Sequence, residues 1–94
     1  MDFNHFLTSY MPDPSIGSKV HFQNMIDQAI LAEKLGYKTV SIPEHHLVNL
    51  LMMPSPLQMA VKIAALTKEI NISTSVVVLP LHDVRTYAGE VVTA

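Results

Sequence analysis

The chain has 94 residues, of which 49% are apolar, 15% are charged and none is cysteine, and its formal net charge is −2. The lack of cysteine excludes a disulfide framework, a thiolate zinc site and a thiol nucleophile. The near-neutral charge gives no basic surface for nucleic acid or a membrane. We find no basic leader with an apolar core and no run of membrane-spanning length, so we expect one small cytoplasmic domain. So few charges on so small a body also predict surface that is covered by a partner or by further chain.

The first third of the chain predicts a strand, a long loop and a helix. Phe3–Thr8 forms the predicted strand, and prolines and a glycine make Ser9–Gly17 a loop. Ser18 is a candidate N-cap for a helix over Lys19–Leu35. Glu33 falls on the apolar side of that helix, where the sequence indicates no partner for it.

The middle of the chain repeats the strand and helix pattern. Tyr37–Ile42 is the predicted second strand, and an unusually apolar loop follows over Pro43–Pro54. Ser55 then caps a helix predicted over Pro56–Glu69, with proline at its first position. Apolar residues cover most of this helix, so we expect it to be buried on two sides, against the sheet and against a further helix. The alternative is one covered side with some exposed alanine.

The remaining residues predict a third strand and a third helix. Ile72–Leu79 is a continuous apolar, β-branched run of the kind found in parallel strands that are buried on both faces. Asp83 is a candidate N-cap for a helix that begins near Val84. The predicted strands start roughly 35 residues apart, which indicates an α/β protein with βαβ units and a parallel sheet. The loops that follow the strands should then lie together at one end of the sheet.

Titratable residues at that end are the functional candidates. Glu44, His45 and His46 directly follow the second strand, where α/β folds carry their chemistry. His82 follows the third strand and should lie at the same end. Adjacent histidines in an extended segment point apart and do not readily share one ion, so we predict no metal site. A single histidine can instead exchange protons near neutral pH, although each imidazole could equally serve a structural hydrogen bond.

On these residues the chain resembles the N-terminal part of the luciferase-like flavin monooxygenases, the family of bacterial luciferase. The resemblance covers nearly the whole chain, and its most specific elements are Glu-His-His after the second strand and Leu-Pro after the third. The matching segments are Phe3 with Phe6, Ala32–Tyr37, Glu44–His46, Pro54–Pro56 and Val78–Arg85.

The resemblance implies that residues 1–94 are an incomplete (βα)3 segment of a TIM-barrel (β/α)8 domain. A full barrel needs about 250 residues, and strands four to eight provide most of the family's contacts to the flavin phosphate. The implied activity is oxidation of a small organic substrate, an aldehyde in the luciferases, by reduced FMN and dioxygen. Some relatives use a deazaflavin instead. A separate flavin reductase and a homo-oligomer are also implied, since the second and third helices form the dimer interface of bacterial luciferase.

The resemblance also assigns the site residues. By motif position His45 matches the catalytic histidine, while His46 is expected to serve mainly local structure. Phe6 matches a residue that lines the flavin cavity, and Glu44 is also assigned to cofactor binding. A non-prolyl cis peptide beneath the flavin ring is implied at Ser75–Val76.

A function of another class remains open, namely a non-catalytic half-barrel that serves binding or assembly. Three parallel strands leave two open edges and, we expect, an exposed apolar inner face. We therefore predict that the chain by itself associates and that it binds FMN weakly or not at all.

Overall fold

The computed structural model describes residues 1–94, and the three predicted strand and helix units are present, with an additional hairpin between the second strand and the second helix. Its elements are β1 (Asn4–Phe6), α1 (Gly17–Lys34), β2 (Thr39–Ile42), β3 (His45–Val48), β4 (Leu51–Met53), α2 (Pro56–Ala64), β5 (Asn71–Thr74) and α3 (Val84–Thr93). Short 3-10 helices at Pro14–Ile16 and Leu79–Leu81 precede α1 and α3. β1, β2 and β5 form a parallel sheet with β2 in the centre, which confirms the predicted parallel arrangement.

The two faces of the sheet differ in chemistry. Val40 and Ile42 of β2 are fully buried and belong to the hydrophobic core that α1 and α2 complete. The opposite face is mostly polar, and its paired residues are Asn4, Thr39 and Asn71 in one row and Phe6, Ser41 and Ser73 in the next. On this face the amide of Asn4 donates a 2.8 Å hydrogen bond to the hydroxyl of Ser41.

The expectation of an apolar inner face is therefore wrong. The open face of the sheet carries small polar side chains, and Phe6 is its large apolar residue. The prediction of a third strand over Ile72–Leu79, buried on both faces, is also wrong. β5 ends at Thr74, and its residues alternate between exposed and half-buried. The β-branched run Val76–Val78 lies beyond the end of the strand. Less apolar surface is thus left open on this face than the sequence suggested.

The segment between β2 and α2, predicted as a loop, is an antiparallel hairpin of β3 and β4. Tyr10 from the β1–α1 loop adds an antiparallel bridge to Leu51 of this hairpin. The buried imidazole of His21 on α1 donates a 3.0 Å hydrogen bond to the carbonyl of Met52. Met53 reaches the core. The apolar character of the segment is explained by this packing against the rest of the domain.

The start of α1 differs from the prediction. Gly17, with a φ of +77°, joins the preceding 3-10 turn to the helix, and Ser18 lies inside the helix rather than at its cap. Asp13 caps the 3-10 turn instead, accepting a 2.9 Å hydrogen bond from the amide of Ser15. The chain thus enters α1 through a tight turn, so the capping side chain lies before that turn.

The other two helices also show how caps work in this chain. α2 begins at Pro56 with Ser55 at the N-cap position, as predicted, although the side chain of Ser55 makes no capping hydrogen bond. The helix ends at Ala64, so the predicted end at Glu69 is wrong. Asp83 does cap α3, as predicted, because its side chain accepts from the amides of Arg85 and Thr86.

Glu33 on α1 has a partner that the sequence did not indicate. One carboxylate oxygen, Oε1, accepts hydrogen bonds from three consecutive amides, those of Lys68, Glu69 and Ile70, at 2.8, 2.7 and 3.0 Å. Such a run of amides is a concave anion-binding nest. The bond from the Glu69 amide is the largest of the influences that lower the pKa of Glu33. This carboxylate ties α1 to the loop that enters β5.

α2 covers the sheet with one side and also contacts α1. Met59 and Ile63 are buried, whereas Val61 on another side is 47% exposed. A groove of about 350 Å³ lies between α2 and α3, with Ala60 and Tyr87 among its lining residues. The second covered side expected of this helix is therefore not supplied by α3. No helix has both the length and the apolar character needed to cross a membrane.

Candidate functional site

The ends of β2 and β5 meet around the carboxylate of Glu44. Pro43 stops the ladder of β2, because proline cannot donate the next backbone hydrogen bond. The amide of Ser75 donates to the carbonyl of Ile42 at 2.7 Å, so the chain that leaves β5 starts beside the end of β2. The side chain of Glu44 is 0% exposed. A buried carboxylate at the carboxyl end of a parallel sheet needs partners for both its oxygens.

Glu44 finds all its partners within the chain. Its Oε1 lies 2.6 Å from Nε2 of His46 and 2.8 Å from Nε2 of His82, and its Oε2 accepts from the amide of Val78 at 2.7 Å. Both imidazoles carry a proton on Nε2, since an ionised carboxylate can only accept. We call these three side chains the Glu44 cluster. No group of three or more histidine, aspartate or glutamate side chains is arranged to hold a metal ion.

The electrostatics of the cluster favour a charged carboxylate. Burial is the largest single influence on Glu44 and raises its pKa, but the hydrogen bonds from the two imidazoles and from Val78 together outweigh it. The pKa of Glu44 therefore lies below its ordinary value. The ring of Tyr87 lies 4.9 Å from that of His82. Burial, followed by the charges of Glu44 and Glu90, raises the pKa of this tyrosine.

His45 is not a member of this cluster. It opens β3 and pairs with Met53 across the hairpin, where it is half-buried. The structure brings His46 rather than His45 to the carboxylate, as expected if the two side chains point apart along an extended segment. His46 thus contacts Glu44, while the catalytic role of His45 and the structural role of His46 stay predictions.

The other residues assigned by resemblance border the open face of the sheet. Phe6 ends β1 and is 52% exposed on that face, beside the small side chain of Ser41. The Ser75–Val76 peptide directly after β5 is cis, as the resemblance implies. Val76 is 69% exposed. An aromatic ring, small polar side chains and an exposed valine at one end of a sheet suit a flat aromatic ligand.

The whole chain, residues 1–94, matches the family model described as luciferase-like monooxygenase. The chain belongs to the luciferase-like monooxygenase family. It is 36% identical over 91 residues to the uncharacterized protein y4vJ of Sinorhizobium fredii, covering 97% of this chain and 26% of that protein. It is 30% identical over 86 residues to the alkanal monooxygenase alpha chains of Photorhabdus laumondii and of the Kryptophanaron alfredi symbiont, covering 90% of this chain and 24% of each. The chain thus spans about a quarter of the length of these curated relatives.

Sequence reasoning identified the end of the sheet that holds the site but missed one of the contacts of Glu44. It placed Glu44, His46 and His82 at the same end, and the structure brings these three together. It missed the amide of Val78 as a partner, because a backbone donor leaves no trace in residue type. It also gave no reason to connect Glu44 with the segment after β5. The available signal was an acidic residue directly after a buried strand, which needs a donor nearby.

Proposed function

We propose that this chain forms the flavin-facing N-terminal part of a (β/α)8 barrel in a flavin-dependent monooxygenase. The observation that carries this proposal is the open polar face of the sheet, with Phe6 and Ser75–Val76 at its carboxyl end, in a chain of the luciferase-like family. Enzymes with this barrel carry their active sites at the carboxyl ends of the strands. The proposed substrate is a small organic molecule of the aldehyde class.

The proposed reaction divides its tasks between cofactor and protein. When bound, reduced FMN would supply the two electrons and two protons with which one atom of dioxygen would enter the aldehyde to give a carboxylic acid, while the other would leave as water. Phe6 and Val76 would provide apolar contacts to the ring and exclude water from it. The imidazole of His45 would act as the proton acceptor and donor, a role that histidine side chains often take in catalysis. Deazaflavin is the alternative cofactor, and a separate reductase would supply the reduced form.

The oligomer implied by the family also has support on the surface of this chain. A second and larger groove, of about 870 Å³, also lies between α2 and α3, and His82, Thr86 and Glu90 are among its lining residues. Val61 and Val91 are half-exposed near this groove. We propose that a second copy covers these two helices, which would give α2 the second buried side that its sequence predicts.

A titration of the chain with oxidised FMN, followed by two-dimensional NMR, tests the cofactor assignment. We expect weak binding, in the micromolar to millimolar range, with shift changes at Phe6, Ser75 and Val76. Residues on the outer face of α1, such as Gln23 and Asp27, serve as internal controls and should not shift. Shift changes spread evenly over the chain, or confined to the outer face of α1, would contradict the assignment. That outcome would favour the non-catalytic assembly module instead.

A further inference from the structure

We propose that Glu44 is a positioning residue, which fixes the wall of the site formed by Ser75–Val78 without touching a cofactor itself. The consequence for flavin rests on the proposed function, but the contacts that carry the inference lie within this chain. The side chain of Glu44 is fully enclosed, and both its oxygens are occupied by donors of the chain. A group enclosed in this way acts on a ligand through the segments that it holds.

The segment Ser75–Val78 is held at both ends by residues that follow one another at the end of β2. Its first amide, that of Ser75, donates to the carbonyl of Ile42 at 2.7 Å. Its last amide, that of Val78, donates to Oε2 of Glu44, also at 2.7 Å. Between these two points the side chain of Val76 is left exposed. The path of the segment is therefore set from β2, and Glu44 provides one of its two attachments.

The other oxygen of Glu44 extends this control to two further segments. His46 attaches the β3–β4 hairpin to Oε1, and His82 attaches the turn that leads into α3 to the same atom. One carboxylate thus joins the hairpin, the segment after β5 and the start of α3. These are the loops at the carboxyl end of the sheet, where their relative positions would define the shape of the site.

A carboxylate is required because three donors converge on two acceptor atoms. Glutamine offers one acceptor oxygen and one NH2 group that can only donate. If the oxygen of a glutamine at position 44 faced the imidazoles, its NH2 group would face the amide of Val78. In the opposite orientation the NH2 group would face the two imidazole N–H groups. Glu44→Gln therefore either leaves the amide of Val78 unpaired or forces the imidazoles to give up the proton on Nε2, while it conserves the size of the side chain.

Glu33→Gln is the matched control for this substitution. Glu33 also accepts three hydrogen bonds from the chain, but its donors precede β5, at the opposite end of that strand. Each variant removes a charged side chain that accepts a hydrogen bond from a backbone amide next to one end of β5. A purely structural role for Glu44 predicts that the two variants affect the site in proportion to their loss of stability.

Hydrogen exchange of the chain and long-range NMR spectra of its imidazoles test the positioning role directly. In Glu44→Gln we expect either an acceleration of Val78 exchange by about tenfold or more, or loss of the Nε2–H state of His46 or His82. In Glu33→Gln we expect faster exchange confined to the residues that enter β5. Unchanged Val78 exchange together with unchanged imidazoles in Glu44→Gln would overturn the proposal, and so would equal acceleration at Val78 in both variants.

A second measurement connects the positioning role to flavin. The shift changes of Val76 on FMN addition should require about tenfold more FMN in Glu44→Gln and an unchanged amount in Glu33→Gln. Equal FMN requirements in the two variants would overturn the effect on the ligand. If FMN shifts the residues of the unsubstituted chain evenly, the proposed function fails, while the exchange data still decide the role of Glu44. Should Glu44→Gln not fold, Glu44→Asp replaces it, because the shorter carboxylate cannot reach all three donors.

Discussion

Replacing His21 by leucine is expected to loosen the hairpin that carries His45 and His46. The imidazole of His21 is buried in α1 and donates to the carbonyl of Met52, which lies on β4. Leucine fills a comparable volume but has no donor, so the carbonyl loses its side-chain partner. A lost hydrogen bond that leaves a buried acceptor unpaired costs about 1–3 kcal/mol. Since small domains have a total stability of about 5–15 kcal/mol, the effect should be large.

The melting temperature provides the first measurement of this effect. For a domain of this size, 1–3 kcal/mol corresponds to a decrease of about 5–20 °C. His21→Gln is the control, because its amide can still donate toward Met52, and it should lose less than half as much. The amides of Met11 and Met52, which connect the hairpin to the β1–α1 loop, should exchange faster in the leucine variant. A leucine variant as stable as the original chain, with unchanged exchange at both amides, would refute this account of the hairpin.

Four other predictions follow from single features of the structure. The pKa of Glu44 is lowered in the folded chain from its ordinary value of 4.5. The ionised carboxylate of Glu44 therefore stabilises the fold above pH 4.5, and this contribution is lost as the pH falls through the pKa of Glu44 in the folded chain. The melting temperatures of the original chain and Glu44→Gln should therefore converge below pH 4.5, and a constant difference would contradict this. Leu47 is fully exposed with a φ of +56°, so Leu47→Gly should raise the free energy of unfolding by about 0–1 kcal/mol, with Leu47→Ala as control; a loss of stability would contradict the strain. In the complete enzyme, His45→Ala should abolish turnover and His46→Ala should mainly lower the melting temperature; loss of turnover without loss of stability in His46→Ala would reverse the roles. The chain should associate at micromolar concentration in sedimentation experiments, and Val61→Lys should weaken that association, whereas a stable monomer would contradict it.

The parallel sheet could be predicted from sequence because its signals are local and repeated. Each strand of the sheet is followed by an amphipathic segment, and the spacing of the three units leaves room for a helical crossover. Asp83 could be identified as a cap because its own side chain reaches the amides that follow it. The placing of Glu44 and His82 at the same end of the sheet could be predicted from the same topology, because parallel strands bring their carboxyl ends together.

The missed features leave weak signals in residue type. The sequence predicts a loop where β3 and β4 form a hairpin, because the turn at Asn49 and Leu50 lacks glycine and the strands are short. The sequence predicts that Val76–Val78 belong to a strand, because β-branched residues favour strands. The chain leaves the sheet at this point, and the amide of Val78 bonds to a side chain of another segment instead of a neighbouring strand. The partners of Glu33 are likewise backbone amides and leave no mark in residue type.

The two missed carboxylate contacts have a common consequence for β5. This strand has four residues, and within the sheet its partner is β2. Glu33 holds the amides that enter it, and Glu44 holds the segment that leaves it. A short edge strand is thus fixed at both ends by carboxylates from other parts of the chain. Because the candidate site lies at the carboxyl ends of the strands, we expect Glu33 to govern stability alone and Glu44 to govern both stability and the geometry of the site.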